Sequence, residues 1–243
     1  MRRPCPEWGR ETGAVRWCFN RGMNNLPFSR RRLLHLAGVP LAAALLSLPA
    51  HASSRRALAA MSDGPFYPPR AWRERWPDWD ADLTRVEREG APRSARGEHL
   101  GLEATVADTR GRLIDGAEVE IWQCDALAAY HHPRVSAEPD RIDAGFAGFG
   151  AGRSTADGRL RFRTIRPVAY PGRTPHIHVK LRHASFGEFT SQLFIEGDPG
   201  NARDFLWRQV SAEDQPALAM KLQPAPADSG LRWLVRHLLV VPG

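Results

Sequence analysis

From about Leu100 the chain breaks into short runs of β-prone residues divided by turn residues. Leu102–Ala107, Ala117–Gln123, Arg159–Ile165, His176–Arg182, Phe189–Glu196 and Leu231–Val241 have the length and residue types of strands. Asp115-Gly116 and Asp157-Gly158 each stand immediately before one of these runs, where a turn dipeptide belongs. Short strands at this spacing predict an all-β protein, an antiparallel β-sandwich. Pro199–Val210 lacks strand alternation around Asp204, Phe205 and Trp207 and reads as a helical turn or two. Residues 53–99 contain Pro, Trp and Arg without sustained periodicity and read as an irregular N-terminal arm. The expected organisation is a leader over 1–52, the arm over 53–99 and the sandwich over 100–243, with no repeat or low-complexity tract.

Charge sharpens the first boundary. The chain has 34 basic and 27 acidic residues, of which eight arginines and two glutamates lie in residues 1–52. The remaining 26 basic and 25 acidic residues nearly balance, so +6 of the net charge of +7 belongs to the leader. Beyond it no basic run interleaved with aromatics occurs, which excludes a nucleic-acid partner. Ser29-Arg30-Arg31-Arg32-Leu33-Leu34 resembles a twin-arginine export signal. The apolar stretch Leu36–Leu48 and the small-x-small site Ala50-His51-Ala52 follow it. That stretch is short for a bilayer span and Pro40 interrupts it, which favours a cleaved leader over an uncleaved membrane anchor. The expected destination is the periplasm or beyond, with the twin-arginine translocation machinery as a partner during export. Met23 opens a shorter leader and is a second candidate start. Cys5 and Cys18 fall in the leader, so the mature chain keeps only Cys124 and forms no internal disulfide.

Two features carry candidate chemistry. His176-Ile177-His178 lies in a predicted strand, where side chains two apart point the same way and both imidazoles converge on one point. Such a pair also occurs incidentally, and zinc or copper would accept it as well. The chain has three tyrosines, Tyr67, Tyr130 and Tyr170. Taken singly, Tyr130 and Tyr170 read as amphipathic core residues whose hydroxyls bond a neighbouring carbonyl.

A family pattern joins them. Asp63-Gly64-Pro65-Phe66-Tyr67-Pro68 resembles the GPFYxP segment of intradiol ring-cleavage dioxygenases. Val119-Glu120-Ile121-Trp122-Gln123-Cys124-Asp125, with Tyr130 following, is similar to their first ligand motif. Asp157-Gly158-Arg159, Phe162, Thr164, Pro167, Tyr170-Pro171 and Arg173-Thr174-Pro175-His176-Ile177-His178 resemble the second half of the site. Ser191-Gln192-Leu193-Phe194 and Gly197-Asp198-Pro199 are similar to the strand and turn that follow. The resemblance runs from Asp63 to about Asn201 and is closest to the short core of protocatechuate 3,4-dioxygenase subunits.

The resemblance implies a loop-borne metal site with Tyr130, Tyr170, His176 and His178 as ligands to one non-haem Fe(III). Donor chemistry agrees: a hard trivalent cation is matched by two phenolates, and coordination deprotonates a phenol at neutral pH. The facial triad of ferrous oxygenases needs a carboxylate, and none accompanies the two histidines in a recognisable motif. The implied reaction opens a catechol-type ring between its hydroxyl-bearing carbons. Both atoms of O2 enter a cis,cis-muconate-type diacid without an external reductant. Tyr170 is the implied ligand released to substrate and a proton acceptor, whereas Tyr130 stays bound. Arg173 lies where the family places an arginine over the substrate ring, and Gln192 matches a position beside it. Tyr67 is expected at the pocket mouth as a substrate contact, or else as packing for the arm. His131, His132 and His183 read as structural or solvent-facing.

Other readings stay open at this level. Gly111–Ala117 also resembles turns in transthyretin-like and carboxypeptidase regulatory domains, which bind without catalysis but lack the Tyr…Tyr…HxH set. A copper or zinc enzyme using the HxH pair alone is a second alternative. The family commonly has Gly at the positions of Ala104 and Ala128, so a positive φ at either would strain Ala by about 1 kcal/mol. No cluster of cations along the sequence marks a seat for a substrate carboxylate, which disfavours protocatechuate. Oligomeric state is not encoded in any pattern.

Overall fold

The computed structural model describes residues 55–73, 80–87, 91–135 and 141–243. The predicted leader, with its twin-arginine motif, the Met23 start and the cleavage site, lies outside the described residues. Among the described residues, no helix is long and apolar enough to cross a membrane.

The strands in chain order are β1 (Arg85–Val86), β2 (Arg93–Ser94), β3 (His99–Asp108), β4 (Glu118–Trp122), β5 (Phe149–Arg153) and β6 (Arg159–Ile165). They continue as β7 (His176–His183), β8 (Gly187–Ile195), β9 (Ala219–Met220), β10 (Gln223–Pro224) and β11 (Trp233–Val241). A four-stranded sheet, β10-β11-β3-β6, and a five-stranded sheet, β5-β4-β7-β8-β9, form the expected sandwich. Pairing is antiparallel in both sheets except where β11 runs parallel to β3 and β9 parallel to β8. Pro199–Val210 contains the expected helical turns, as 3-10 turns at Asn201–Arg203 and Trp207–Gln209.

Period-two alternation sets the faces. Leu100, Leu102 and Val106 of β3, with Val235 and Leu239 of β11, pack against Ile121 of β4, Ile177 and Val179 of β7 and Leu193 of β8. Burying each such side chain contributes roughly 1.5–3 kcal/mol. The intervening positions of β4 and β7 therefore face away from this core. The registers align Trp122 with His178 and His178 with Gln192, then Glu120 with Lys180 and Lys180 with Thr190. The sandwich core thus fixes a polar outer face on which chemistry can be built.

The arm holds to this fold by backbone bonds. Leu58 N donates to Val240 O, Met61 N donates to Thr190 O, and Ser191 Oγ donates to Ala59 O. Residues 59–61 thereby run along the part of β8 that β9, pairing only at Phe194 and Ile195, leaves uncovered. The arm also contains the short β1–β2 pair and a helical turn at Arg70–Arg73, neither of which its irregular sequence announces. Strand β5 is likewise absent from the sequence-based set, because Phe-Gly-Ala-Gly-Arg lacks β-branched residues. Its glycine is structural: a Cβ at Gly150 would lie 2.5 Å from Asp80 O, where Ala151 N donates to the same carbonyl.

The two alanine substitutions differ in consequence. Ala104 is a buried β3 residue without positive φ, so no strain arises there. Ala128 has φ 64° and is the one non-glycine residue with positive φ among those described. Its loop is closed by buried Asp125, whose carboxylate accepts from Leu127 N, Ala129 N, Asp143 N and His131 Nε2. This cage delivers Tyr130 and imposes the left-handed conformation on Ala128. Ala128→Gly is expected to stabilise the metal-free protein by about 1 kcal/mol or less, as strain relief is partly offset by unfolded-chain entropy. Thermal unfolding should register a rise in Tm of about 1–4 °C; a fall would show that the loop does not hold residue 128 in the left-handed region.

Candidate metal centre

His176 and His178 project from β7 on the outer face of the five-stranded sheet, and both are buried. Tyr130 reaches them from the loop after β4, and Tyr170 from the loop between β6 and β7. Tyr130 Oη lies 3.1 Å from His178 Nε2 and 3.5 Å from His176 Nε2, and the two Nε2 atoms are 3.3 Å apart. Tyr170 completes the group, its ring centroid 5.6 Å from that of Tyr130 and 5.5 Å from that of His176. All four predicted ligand residues therefore come together.

Electrostatics favour a cation at the centre. Burial pushes the Tyr130 phenol well above its ordinary pKa, and the adjacent Tyr170 pushes it further. Burial raises Tyr170 as well, with Arg173 opposing. Burial lowers His176 to about 4, and burial together with His176 takes His178 well below 6.5. The bare site thus consists of neutral phenols and neutral imidazoles. His176 Nδ1 donates to Thr174 O at 2.7 Å; a carbonyl can only accept, so Nε2 carries the lone pair. His178 Nδ1 is buried without a hydrogen-bond partner among the described residues, while its Nε2 is aimed at Tyr130. Acceptor nitrogens facing one another at 3.3 Å, beside phenol oxygens, match donors spaced around one ion at about 2 Å each. The set fits a metal ion that ionises phenols. Among the described residues no group of three His, Cys, Asp or Glu is placed to hold a metal, so a metal here must draw on the tyrosines.

Aromatic walls hold the donors. Trp122 stacks on His178 at 4.7 Å with 10° between the planes, and Phe66 stacks on Tyr130 at 4.4 Å. Tyr67 packs edge-on against Trp122 at 4.9 Å. Its hydroxyl points into an ion cluster, donating to Glu120 Oε2 at 2.7 Å and accepting from Arg182 at 2.8 Å. Burial and the Glu120 hydrogen bond push this phenol up to about 12. Glu120 also bonds Arg73 and Arg182, while Lys180 pairs with Asp63 and Glu188 and lies 4.2 Å from the Tyr67 ring centroid. Tyr67 therefore meets the metal centre through Trp122, and its hydroxyl is committed elsewhere.

Arg173 is brought to the site as expected. Its Nε donates to Asp204 at 2.8 Å, one terminal nitrogen donates to Gln192 Oε1 at 2.5 Å, and the other lies 3.5 Å from Tyr170 Oη. Asp204 is buried and also accepts from Thr174 N, Leu206 N and Trp207 N. Sequence reasoning missed Asp204, because no strand or helix period marks it. Trp122 stood inside a recognised motif without a role, and its alignment with His178 in the register explains it. His131 bonds Asp125, His132 is buried near Phe66, and His183 bonds Ser185; none joins the metal group.

Residues 63–229 match the model of the family described as Dioxygenase. The protocatechuate 3,4-dioxygenase beta chain of Burkholderia cepacia is 36% identical over 134 residues, covering 51% of this chain and 55% of that one. The hydroxyquinol 1,2-dioxygenase of Corynebacterium glutamicum is 28% identical over 123 residues, 43% of this chain and 38% of that one. Among solved structures, the dioxygenase domain of a dioxygenase carbohydrate-binding protein fusion from Streptomyces sp. SirexAA-E superposes with a TM-score of 0.56. The identity is 27%, over 77% of this chain and 99% of that one. The chain belongs to the intradiol ring-cleavage dioxygenase family. It spans about half, or less, of the curated relatives it matches.

The buried imidazoles give a pH signature. His176 has a folded pKa near 4 against 6.5 when exposed, so the unfolded chain binds protons that the folded one refuses. Stability of the metal-free protein is therefore intact above about pH 6.5 and falls as pH drops toward 4, by about 1.4 kcal/mol per pH unit for each such histidine. Urea unfolding at pH 7.5 and pH 5 should record the loss; equal stability at both would mean that the imidazoles are solvated.

Proposed function

We propose that the protein is a non-haem Fe(III) intradiol dioxygenase that opens a catechol-type ring with O2 to a cis,cis-muconate-type diacid. The observation that carries this reading is the convergence of the Tyr130 phenol and two neutral imidazoles within hydrogen-bond distance, with the Tyr170 ring packed against them and no carboxylate in the group. Tyr130, Tyr170, His176 and His178 would hold the iron. A ferric ion held there would supply the charge that ionises the phenols and would make a ring carbon of a bound catechol reactive toward O2.

The chain's own residues divide the remaining work. Tyr130 is buried, stacked on Phe66 and delivered by the Asp125 cage, which suits a ligand retained throughout turnover. Tyr170 is less buried and lines an open cleft, which suits a ligand that yields its place and accepts a catechol proton at Oη. Arg173, fixed by Asp204 and Gln192, directs a guanidinium beside Tyr170 Oη, where it would stabilise negative charge developing on the ring. Trp122 and Phe66 exclude water from the inner side. The leader motif at Ser29–Leu34 extends the proposal to twin-arginine export of the folded protein.

Turnover of a catechol panel in 18O2 tests the reading. The expected product is a muconate-type diacid carrying both labelled atoms, formed without added reductant. A yellow ring-opened semialdehyde, or a requirement for ferrous iron, would overturn it.

A further inference from the structure

The two histidines of the site are fixed by different means. His176 Nδ1 donates to Thr174 O at 2.7 Å, which sets the ring plane and leaves Nε2 as the acceptor. His178 Nδ1 is buried with no hydrogen-bond partner among the described residues. A metal-bound imidazole ordinarily donates its second nitrogen to a carbonyl or carboxylate, and that bond both orients the ring and strengthens its lone pair. For His178 another force must do the orienting.

The register pairs His178 with Trp122, directly across from β7 to β4. The indole lies over the imidazole at 4.7 Å with 10° between the planes. Trp122 is itself buried, and its Nε1 has no hydrogen-bond partner among the described residues, so packing holds the indole as well. Tyr67 packs edge-on against it at 4.9 Å, and the Tyr67 hydroxyl is tied to Glu120 and Arg182. Glu120 stands two positions before Trp122 on β4, and Arg182 four positions after His178 on β7. The stack is thus clamped by residues of its own two strands. We propose that Trp122 is the positioning residue for His178, its indole face taking the place of the Nδ1 hydrogen bond that holds His176. This rests on the metal-binding reading above and deepens it. An ion at Nε2 makes the imidazole partly cationic, and the negative face of an indole attracts such a ring more strongly than a neutral one. The stack therefore favours the metal-loaded site over the empty one, whereas a contact that only filled space would favour both alike. Phe offers a weaker π face than Trp, and Leu offers none.

Iron release to excess chelator, together with pulsed EPR of the iron-loaded protein labelled with 15N-histidine, tests this. Wild type should show two distinct histidine couplings. Trp122→Leu should release iron about two- to tenfold faster, the loss of one aromatic stack, with Trp122→Phe in between. In both variants one histidine coupling should shift while the other stays. Phe66→Leu, which removes the stack on Tyr130 instead, should leave both histidine couplings in place. Trp122→Phe decides the matter where Trp122→Leu does not fold. Iron release unchanged in Trp122→Phe, or equal shifts of both couplings, would overturn the role of Trp122 alone. A protein in which no histidine couples to iron would overturn the metal-binding reading and this inference with it.

Discussion

One constraint organises the molecule: two imidazoles two residues apart on β7 must be buried with phenols, and no carboxylate, against their Nε2 atoms. The sandwich core claims Ile177 and Val179, so His176 and His178 are turned to the opposite face of the sheet. On a solvated sheet surface they would titrate as ordinary histidines. Here two loops and the arm close over them, and burial holds both neutral with their Nε2 atoms directed at one point. Neutral acceptors and phenols gathered at one point form a receptor for a cation, and a hard trivalent ion suits phenolates best.

The surrounding structure preserves that arrangement by two different means. Around His178 the support is apolar, through the Trp122 stack and the Tyr67 edge, and it is fastened at its outer end by the Glu120–Arg182–Arg73 ion cluster. Around Arg173 the support is polar, and buried Asp204 ties the guanidinium to the turn that follows β8. Both devices keep their own charges satisfied internally. Arg173 therefore faces Tyr170 with its charge positioned, and Glu120 keeps its negative charge among cations away from the phenols.

Much of this was legible in the chain for a physical reason. β-prone runs between turn residues marked the strands, and a period of two put His176 and His178 on a shared face, because that period is a property of the strand itself. The two tyrosines became candidate ligands only through their motif context, since their approach to β7 depends on loops with no period of their own. The same limit hid Asp204, whose hold on Arg173 exists only once the residues after Pro199 fold back beside the Tyr170 loop. Strand β5 escaped because Gly150 serves the close approach of Asp80 and Leu83, and neither it nor Gly152 carries strand propensity. Ala128 was flagged correctly from sequence as a position wanting glycine, and the Asp125 cage explains how alanine is held there.

The central claim is that four side chains, two of them phenolates, hold one ferric ion. Resonance Raman spectroscopy of the iron-loaded protein, excited in its visible absorption, tests this most directly, because only phenolates bonded to iron gain enhancement. The account predicts about one iron per chain, visible colour without reductant and two sets of tyrosinate vibrations. One set should be lost in Tyr130→Phe and the other in Tyr170→Phe. A colourless iron protein, or a spectrum that neither substitution alters, would contradict it.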